Sequence, residues 1–103
     1  MTPEGKVKHD ITKWLDQLKK DGLPIFYDVR QAGGFNYKKG IPDIYVVFNG
    51  HHIEIEVKKP GGQQSVMQEK FQAFCEMIHV DYLLIDSIND FRQKFTSLME
   101  NFF

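Results

Sequence analysis

The chain has 103 residues, 42 % of them hydrophobic and 26 % charged, with a formal net charge of −1 and a pI near 6.4. That length fits a single domain over residues 1–103 with one hydrophobic core, and the composition excludes disordered and fibrous classes. No apolar run approaches the roughly 18 to 20 residues of a spanning helix, no signal-peptide pattern opens the chain, and the charge argues against holding nucleic acid by bulk electrostatics alone.

A cytoplasmic setting is therefore expected, with no membrane partner. The distribution of charge says more than its sum: residues 1–60 hold ten Lys or Arg against eight Asp or Glu, residues 61–103 three against six. Phosphate contacts, if made, belong to the first half; an ordinary solvated surface is the plain alternative. The lone Cys75 rules out disulfide and thiolate-zinc architectures within one chain and reads as a buried core thiol.

Thr2-Pro3-Glu4 starts a helix, since Thr caps unpaired amides, Pro suits the first helical position and Glu favours the positive end of the dipole. Val7, Ile11, Leu15 and Leu18 recur at helical spacing, and Asp21-Gly22 with Pro24 ends the run near Lys20. Ile25, Tyr27 and Val29 alternate against Phe26, Asp28 and Arg30, which predicts a strand. Gln31 to Gly40 has neither period and reads as a Gly-rich loop. Ile44 to Phe48 is a continuous apolar run, suiting a strand covered on both faces. Asn49-Gly50 then signals a two-residue hairpin, because both turn positions need positive φ.

The returning strand, His51 to Lys59, alternates between a charged face of His52, Glu54, Glu56 and Lys58 and an apolar face of Ile53, Ile55 and Val57. Pro60-Gly61-Gly62 stops it. Ser65-x-x-Gln68 is a capping box opening a helix whose stripe of Met67, Phe71, Phe74, Cys75 and Ile78 reads as core. Val80 to Ile85 is a further strand, and Ser87 caps a last helix with Ile88, Phe91, Phe95 and Leu98 facing inward. The order α-β-β-β-α-β-α predicts an α/β fold, one mixed sheet flanked by helices.

Pairing Phe48 with His51 about the turn carries Asp43 opposite Glu56. Two facing carboxylates repel, so a positive charge should lie between them, and oxygen donors without Cys or paired His select a hard cation, Mg²⁺ or Mn²⁺. Lys58, two residues after Glu56 on the same face, adds an ammonium able to orient or deprotonate a water and to offset charge on a phosphoryl group. Alternating charge on a strand is also what plain solvent exposure produces. Glu54, one pleat further from the strand end, is expected at the surface, and His9, His51, His52 and His79 share no metal-ligand spacing.

Taken together and in order, Gly40-Ile41-Pro42-Asp43, a hairpin, Glu56-Val57-Lys58-Lys59-Pro60-Gly61-Gly62 and Ser65-x-x-Gln68 resemble the VRR-NUC (virus-type replication-repair nuclease) family of the PD-(D/E)xK superfamily, from Glu4 through Asp86. The resemblance implies a restriction-endonuclease-like fold and a Mg²⁺- or Mn²⁺-dependent endodeoxyribonuclease. Asp43 and Glu56 would bind the metal with the backbone carbonyl of Val57, Lys58 would be the catalytic lysine, and Glu4 would lean toward the ion indirectly. Glu4 also makes sense as a helix N-terminal charge. Gln68 would position Lys58 or a phosphate; its alternative role is capping-box partner of Ser65.

Tyr37, Lys38 and Lys39, just upstream of Pro42-Asp43, are candidates for contacting a DNA backbone or stacking on a base or sugar, with a plain flexible loop as the alternative, and Lys59 is a further candidate. Lys6, Lys13 and Arg30 are weaker ones for the same surface. Free-standing domains of this type look like phage or prophage enzymes acting on branched DNA, in a bacterial or phage-infected cell. Symmetric cutting of a junction suggests a homodimer, to which Phe102-Phe103 could offer a self-complementary surface. A flap or nicking nuclease of the same fold, a non-cutting DNA-binding module and a protein-interaction domain stay open as alternatives.

Overall fold

The computed structural model describes residues 1–30 and 40–102. Its elements run α1 (Pro3–Lys20), β1 (Ile25–Val29), β2 (Ile44–Phe48), β3 (His51–Val57), α2 (Val66–Met77), β4 (Asp81–Ile85) and α3 (Ile88–Glu100). This is the predicted α-β-β-β-α-β-α order. The sheet is mixed: strands lie in the order β1-β2-β3-β4, with β1, β2 and β3 antiparallel and β3 parallel to β4. The parallel step requires a crossover, and α2 supplies it.

Local chemistry accounts for the element ends. The Thr2 hydroxyl accepts from the Gly5 amide at 3.0 Å at the start of α1, and Ser87 does the same for Asp90 at 3.0 Å at the start of α3. At the hairpin, Asn49 and Gly50 take φ of 48° and 83°, the left-handed pair a tight two-residue turn demands. The register runs from Phe48↔His51 to Ile44↔Ile55, as the turn predicts.

One face of the sheet is the core. Ile44, Val46, Phe48, Ile53, Ile55, Val57 and Ile85 meet Val7, Ile11 and Leu15 of α1 and Phe91, Phe95 and Met99 of α3. Trp14 stands edge-on to Phe91 and Phe95, with centroids 5.7 and 5.9 Å apart, an arrangement that suits the ring quadrupoles.

The opposite face departs from expectation. Glu54 and Glu56 are 4 % and 2 % exposed, so the charged side of β3 is buried beneath α2, and the surface position expected for Glu54 is overturned. The α2 stripe is the second correction. Cys75 is buried, whereas Met67, Phe74 and Ile78 are 47 %, 49 % and 46 % exposed. Helical spacing shows that a face is apolar but not whether anything covers it. Here α2 lies on a polar sheet face and packs chiefly on β4, and α1 and α3 occupy the other side. Tyr45 and Val47 on β2 are correspondingly half-buried, so that strand is fully covered on one face only. At the C-terminus, Phe102 stacks on His51 with centroids 3.8 Å apart and its carbonyl accepts from Asn49. This aromatic closes the hairpin end instead of projecting as an adhesive surface; Phe103 lies outside the described residues. Among the described residues, no helix is long and apolar enough to cross a membrane.

Gly40 shows how the approach to β2 is built. Its φ is +85°, and a Cβ there would meet the Met67 carbonyl oxygen at 2.6 Å. The chain entering the Pro42-Asp43 motif therefore lies directly against the first turn of α2. Gly50 has a similar φ of +83°, but a Cβ there would meet nothing within 4 Å among the described residues. In urea unfolding, Gly50→Ala is expected to cost about 1 kcal/mol from backbone strain alone, and Gly40→Ala clearly more, about 2 to 4 kcal/mol, from strain plus collision.

Candidate active site

Asp43 stands one residue before β2 and Glu56 one residue before the end of β3. Continuing the register one step past Ile44↔Ile55 sets them opposite each other. The Glu56 side chain is held from two directions. Gln68 Nε2 donates to Glu56 Oε1 at 2.7 Å, and Lys58 Nζ lies 3.7 Å from the same oxygen. Glu56 Oε2 is buried, with no hydrogen-bond partner among the described residues. Burial first, and then the negative charge of Asp43, push this carboxyl up to about 7; Lys58 and Lys8 pull the other way and Glu4 adds to the rise. Two nearby ammonium groups are thus insufficient to keep Glu56 an ordinary carboxylate.

Lys8 was not among the residues singled out by sequence. Its Nζ lies 3.5 Å from Asp43 Oδ1, so α1 contributes a cation on the Asp43 side as Lys58 does on the Glu56 side. The signal was available: Lys8 follows Glu4 by four residues and therefore shares its helical face. Glu4 itself lines a surface groove with Thr2, Pro3 and Lys59. Its charge reaches Glu56, and it occupies the first turn of α1.

Gln68 fills the capping-box role considered for it and also reaches into the site. Its Oε1 accepts from the Ser65 amide at 2.8 Å, completing the capping box, while its Nε2 reaches Glu56. Its partner in the site is Glu56, not Lys58. Lys58 is tethered through its main chain, whose N–H donates to the Ile85 carbonyl at 2.8 Å. Lys59 is exposed and shares a groove of about 530 Å³ with Lys58, Asp86, Asn89 and Lys94. Tyr37, Lys38 and Lys39 lie outside the described residues.

Arg30 and Glu54 form a separate buried pair. Both guanidinium nitrogens bond the two Glu54 oxygens, Nη2 to Oε2 at 2.9 Å, and His52 Nε2 meets Oε2 as well. Burial alone would raise the Glu54 carboxyl, but the bonds and charges of Arg30 and His52 outweigh it and hold it below its usual range. The guanidinium is thereby turned toward the protein, a different setting from the DNA-facing one expected for Arg30.

The donors around Glu56 suit a hard cation. A buried carboxylate oxygen without a partner among the described residues, on a side chain whose register position is opposite a second acid, is a place where a divalent ion would relieve repulsion. Among the described residues no group of three or more His, Cys, Asp or Glu closes on one point. An ion at Glu56 and Asp43 would therefore take further ligands from outside these two carboxylates.

The architecture and site define an α/β domain with a carboxylate pair at its strand ends. No protein-family model and no curated protein matches the chain. A solved structure described as a VRR_NUC domain aligns with a TM-score of 0.67 at 17 % identity, covering 100 % of this chain and 100 % of that one. The chain has the fold of that VRR_NUC domain, in keeping with the motif resemblance.

The raised Glu56 carboxyl has a signed consequence. Between the ordinary carboxylate range and about pH 7 the folded chain binds a proton that the unfolded chain does not, so stability falls as pH rises through that window. Glu54, held low, has already delivered its contribution there. Without divalent ions, melting temperature is expected to drop between pH 5 and 8, by up to the equivalent of about 3 kcal/mol. Glu56→Gln should flatten the profile, and Mn²⁺ should restore the wild-type chain at pH 8; thermal denaturation across pH with and without the ion checks this.

Proposed function

We propose that this protein is a Mg²⁺- or Mn²⁺-dependent endonuclease that hydrolyses phosphodiesters in DNA. The observation that carries this reading is the buried Glu56 oxygen without a partner among the described residues, on a side chain that feels the charge of Asp43, with Lys58 beside Glu56 and Lys8 beside Asp43. A fold shared with a VRR_NUC domain supports it.

Asp43, Glu56 and the Val57 carbonyl would hold the ion, with Glu4 acting at longer range. When bound, the ion supplies Lewis acidity to a phosphoryl oxygen and lowers the pKa of a water molecule. The protein's own groups do the rest. Gln68 fixes Glu56 Oε1 by its 2.7 Å bond, which leaves Oε2 as the donor. Lys58 orients the attacking water or offsets negative charge as it grows on the phosphoryl oxygens. Lys8, partly exposed beside Asp43, is a second cation within reach of the same charge. Water adds to phosphorus, the bond to one sugar oxygen breaks, and the products are a phosphomonoester and a hydroxyl end. The proton lost by the water passes to solvent or to a basic side chain, and the leaving sugar oxygen takes up one proton from solvent to become the hydroxyl end.

Branched DNA is the substrate class this reading favours. The described residues include no long recognition helix or insertion with side chains to spare for base edges, so shape is the better basis for selection. Two symmetric cuts would need two sites, and a homodimer supplies them. With Phe102 committed to His51, the exposed apolar side of α2, around Met67, Phe74 and Ile78, becomes the surface for a second copy to cover.

The test is cleavage of four-way junction, flap and linear DNA in Mg²⁺ and Mn²⁺. Asp43→Asn and Glu56→Gln are expected to lose Mn²⁺ binding and cleavage together, whereas Lys58→Ala keeps binding and loses about 10²-fold or more in rate. Lys8→Met should lower the rate by about tenfold. Absence of Mn²⁺ binding by calorimetry, or full cleavage by Asp43→Asn, would overturn the assignment. Light scattering showing only monomer at micromolar concentration would remove the homodimer.

A further inference from the structure

Asp43 is in a poor position to hold a fixed direction by itself. It lies just outside β2, follows Pro42, which has no N–H to donate, and falls beyond the last recorded β2–β3 pair, Ile44↔Ile55. Yet both peptide carbonyls that bracket its Cα are held, and by one residue. Arg30 Nη1 donates to the Pro42 carbonyl at 2.9 Å, and the Arg30 main-chain N–H donates to the Asp43 carbonyl at 2.7 Å.

The guanidinium making the first of these bonds is itself immobilised. Its fork grips the Glu54 carboxylate, and its plane lies over the Tyr45 ring at 4.8 Å. His52 stacks on Tyr45 with centroids 5.3 Å apart and also holds Glu54. Glu54 is 4 % exposed, so one buried carboxylate anchors the whole unit.

We infer that Arg30, anchored by Glu54, is a positioning residue for Asp43: it fixes the main chain on both sides of that carboxylate and so sets its direction toward Glu56. This rests on the metal reading given above and assigns to Arg30 a role other than contact with DNA. The chemistry suits arginine specifically. A planar fork can bond a carboxylate through two nitrogens while one of them also serves a carbonyl, which a lysine ammonium on a flexible stem cannot reproduce. Loss of such outer support commonly weakens a metal site about 10- to 100-fold without touching its donors.

The experiment compares wild type, Arg30→Lys, Glu54→Gln and, as a core control away from the site, Phe95→Leu. For each, calorimetry gives the Mn²⁺ dissociation constant, thermal denaturation in EDTA gives stability, and DNA cleavage across Mn²⁺ concentration gives the half-saturating ion concentration and the saturating rate. Arg30→Lys and Glu54→Gln are expected to weaken Mn²⁺ binding about 10- to 100-fold, raise the half-saturating concentration in step and keep most of the saturating rate. Phe95→Leu should lose melting temperature and leave Mn²⁺ affinity unchanged. Unchanged affinity in both site variants overturns the role, as does equal weakening in Phe95→Leu, which would mean general loosening. If Arg30→Lys does not fold, Glu54→Gln decides the matter by the same criterion. A wild-type chain that takes up no Mn²⁺ overturns the metal reading, and the positioning role with it, an outcome distinct from tight wild-type binding that the variants leave intact.

Discussion

Two carboxylates two residues apart on one strand, both withdrawn from water, set the terms for this molecule. Burying a charge is costly unless partners replace the lost hydration, and β3 does this twice with opposite results. Glu54 receives an arginine fork and a histidine, and its carboxyl is held low. Glu56 receives one amide and a lysine at 3.7 Å, faces another acid, and its carboxyl is pushed up. The same helix covers both. The difference lies in their partners: both Glu54 oxygens are bonded, whereas Glu56 Oε2 has no hydrogen-bond partner among the described residues.

The fold serves this contrast economically. The antiparallel hairpin brings the start of β2 beside the end of β3, so two residues thirteen apart in sequence become neighbours across a ladder. The parallel step from β3 to β4 needs a crossover helix, and that helix delivers Gln68 and closes the polar sheet face. On the opposite face the aliphatic core with Trp14, Phe91 and Phe95 carries the packing. Strain and charge can therefore be tolerated at the strand ends, where local stability is least required.

Much of this was legible in the residues. Two-residue periodicity, the Asn49-Gly50 turn and the capping residues Thr2, Ser65 and Ser87 are local signals, and each reports a local event; the element order and the register came from them. What pattern could not supply was which faces are covered. Alternation told that Glu54 and Glu56 share a side of β3 but treated a charged side as a wet one. Helical spacing told that α2 has an apolar stripe but treated such a stripe as a buried one. Both errors have one cause: α2 packs on a sheet face whose charges pair among themselves, an arrangement that depends on Arg30, His52 and Glu54 meeting across three separate stretches of chain. Lys8 carries no motif of its own: only its place one helical turn after Glu4, on the same face of α1, connects it with the site.

Gln68 joins two parts of the molecule that could have been independent. One end of its amide accepts from the backbone at Ser65 and the other restrains Glu56, so the start of α2 and the orientation of the strand-end carboxylate share a single side chain. Glutamate would serve the helix equally well, because either residue completes a capping box, but it would bring a third acid against Glu56 and remove the donor. The interchange that is neutral at most helix starts is closed at this one: folding leaves the choice between acid and amide open, and the chemistry next door makes it.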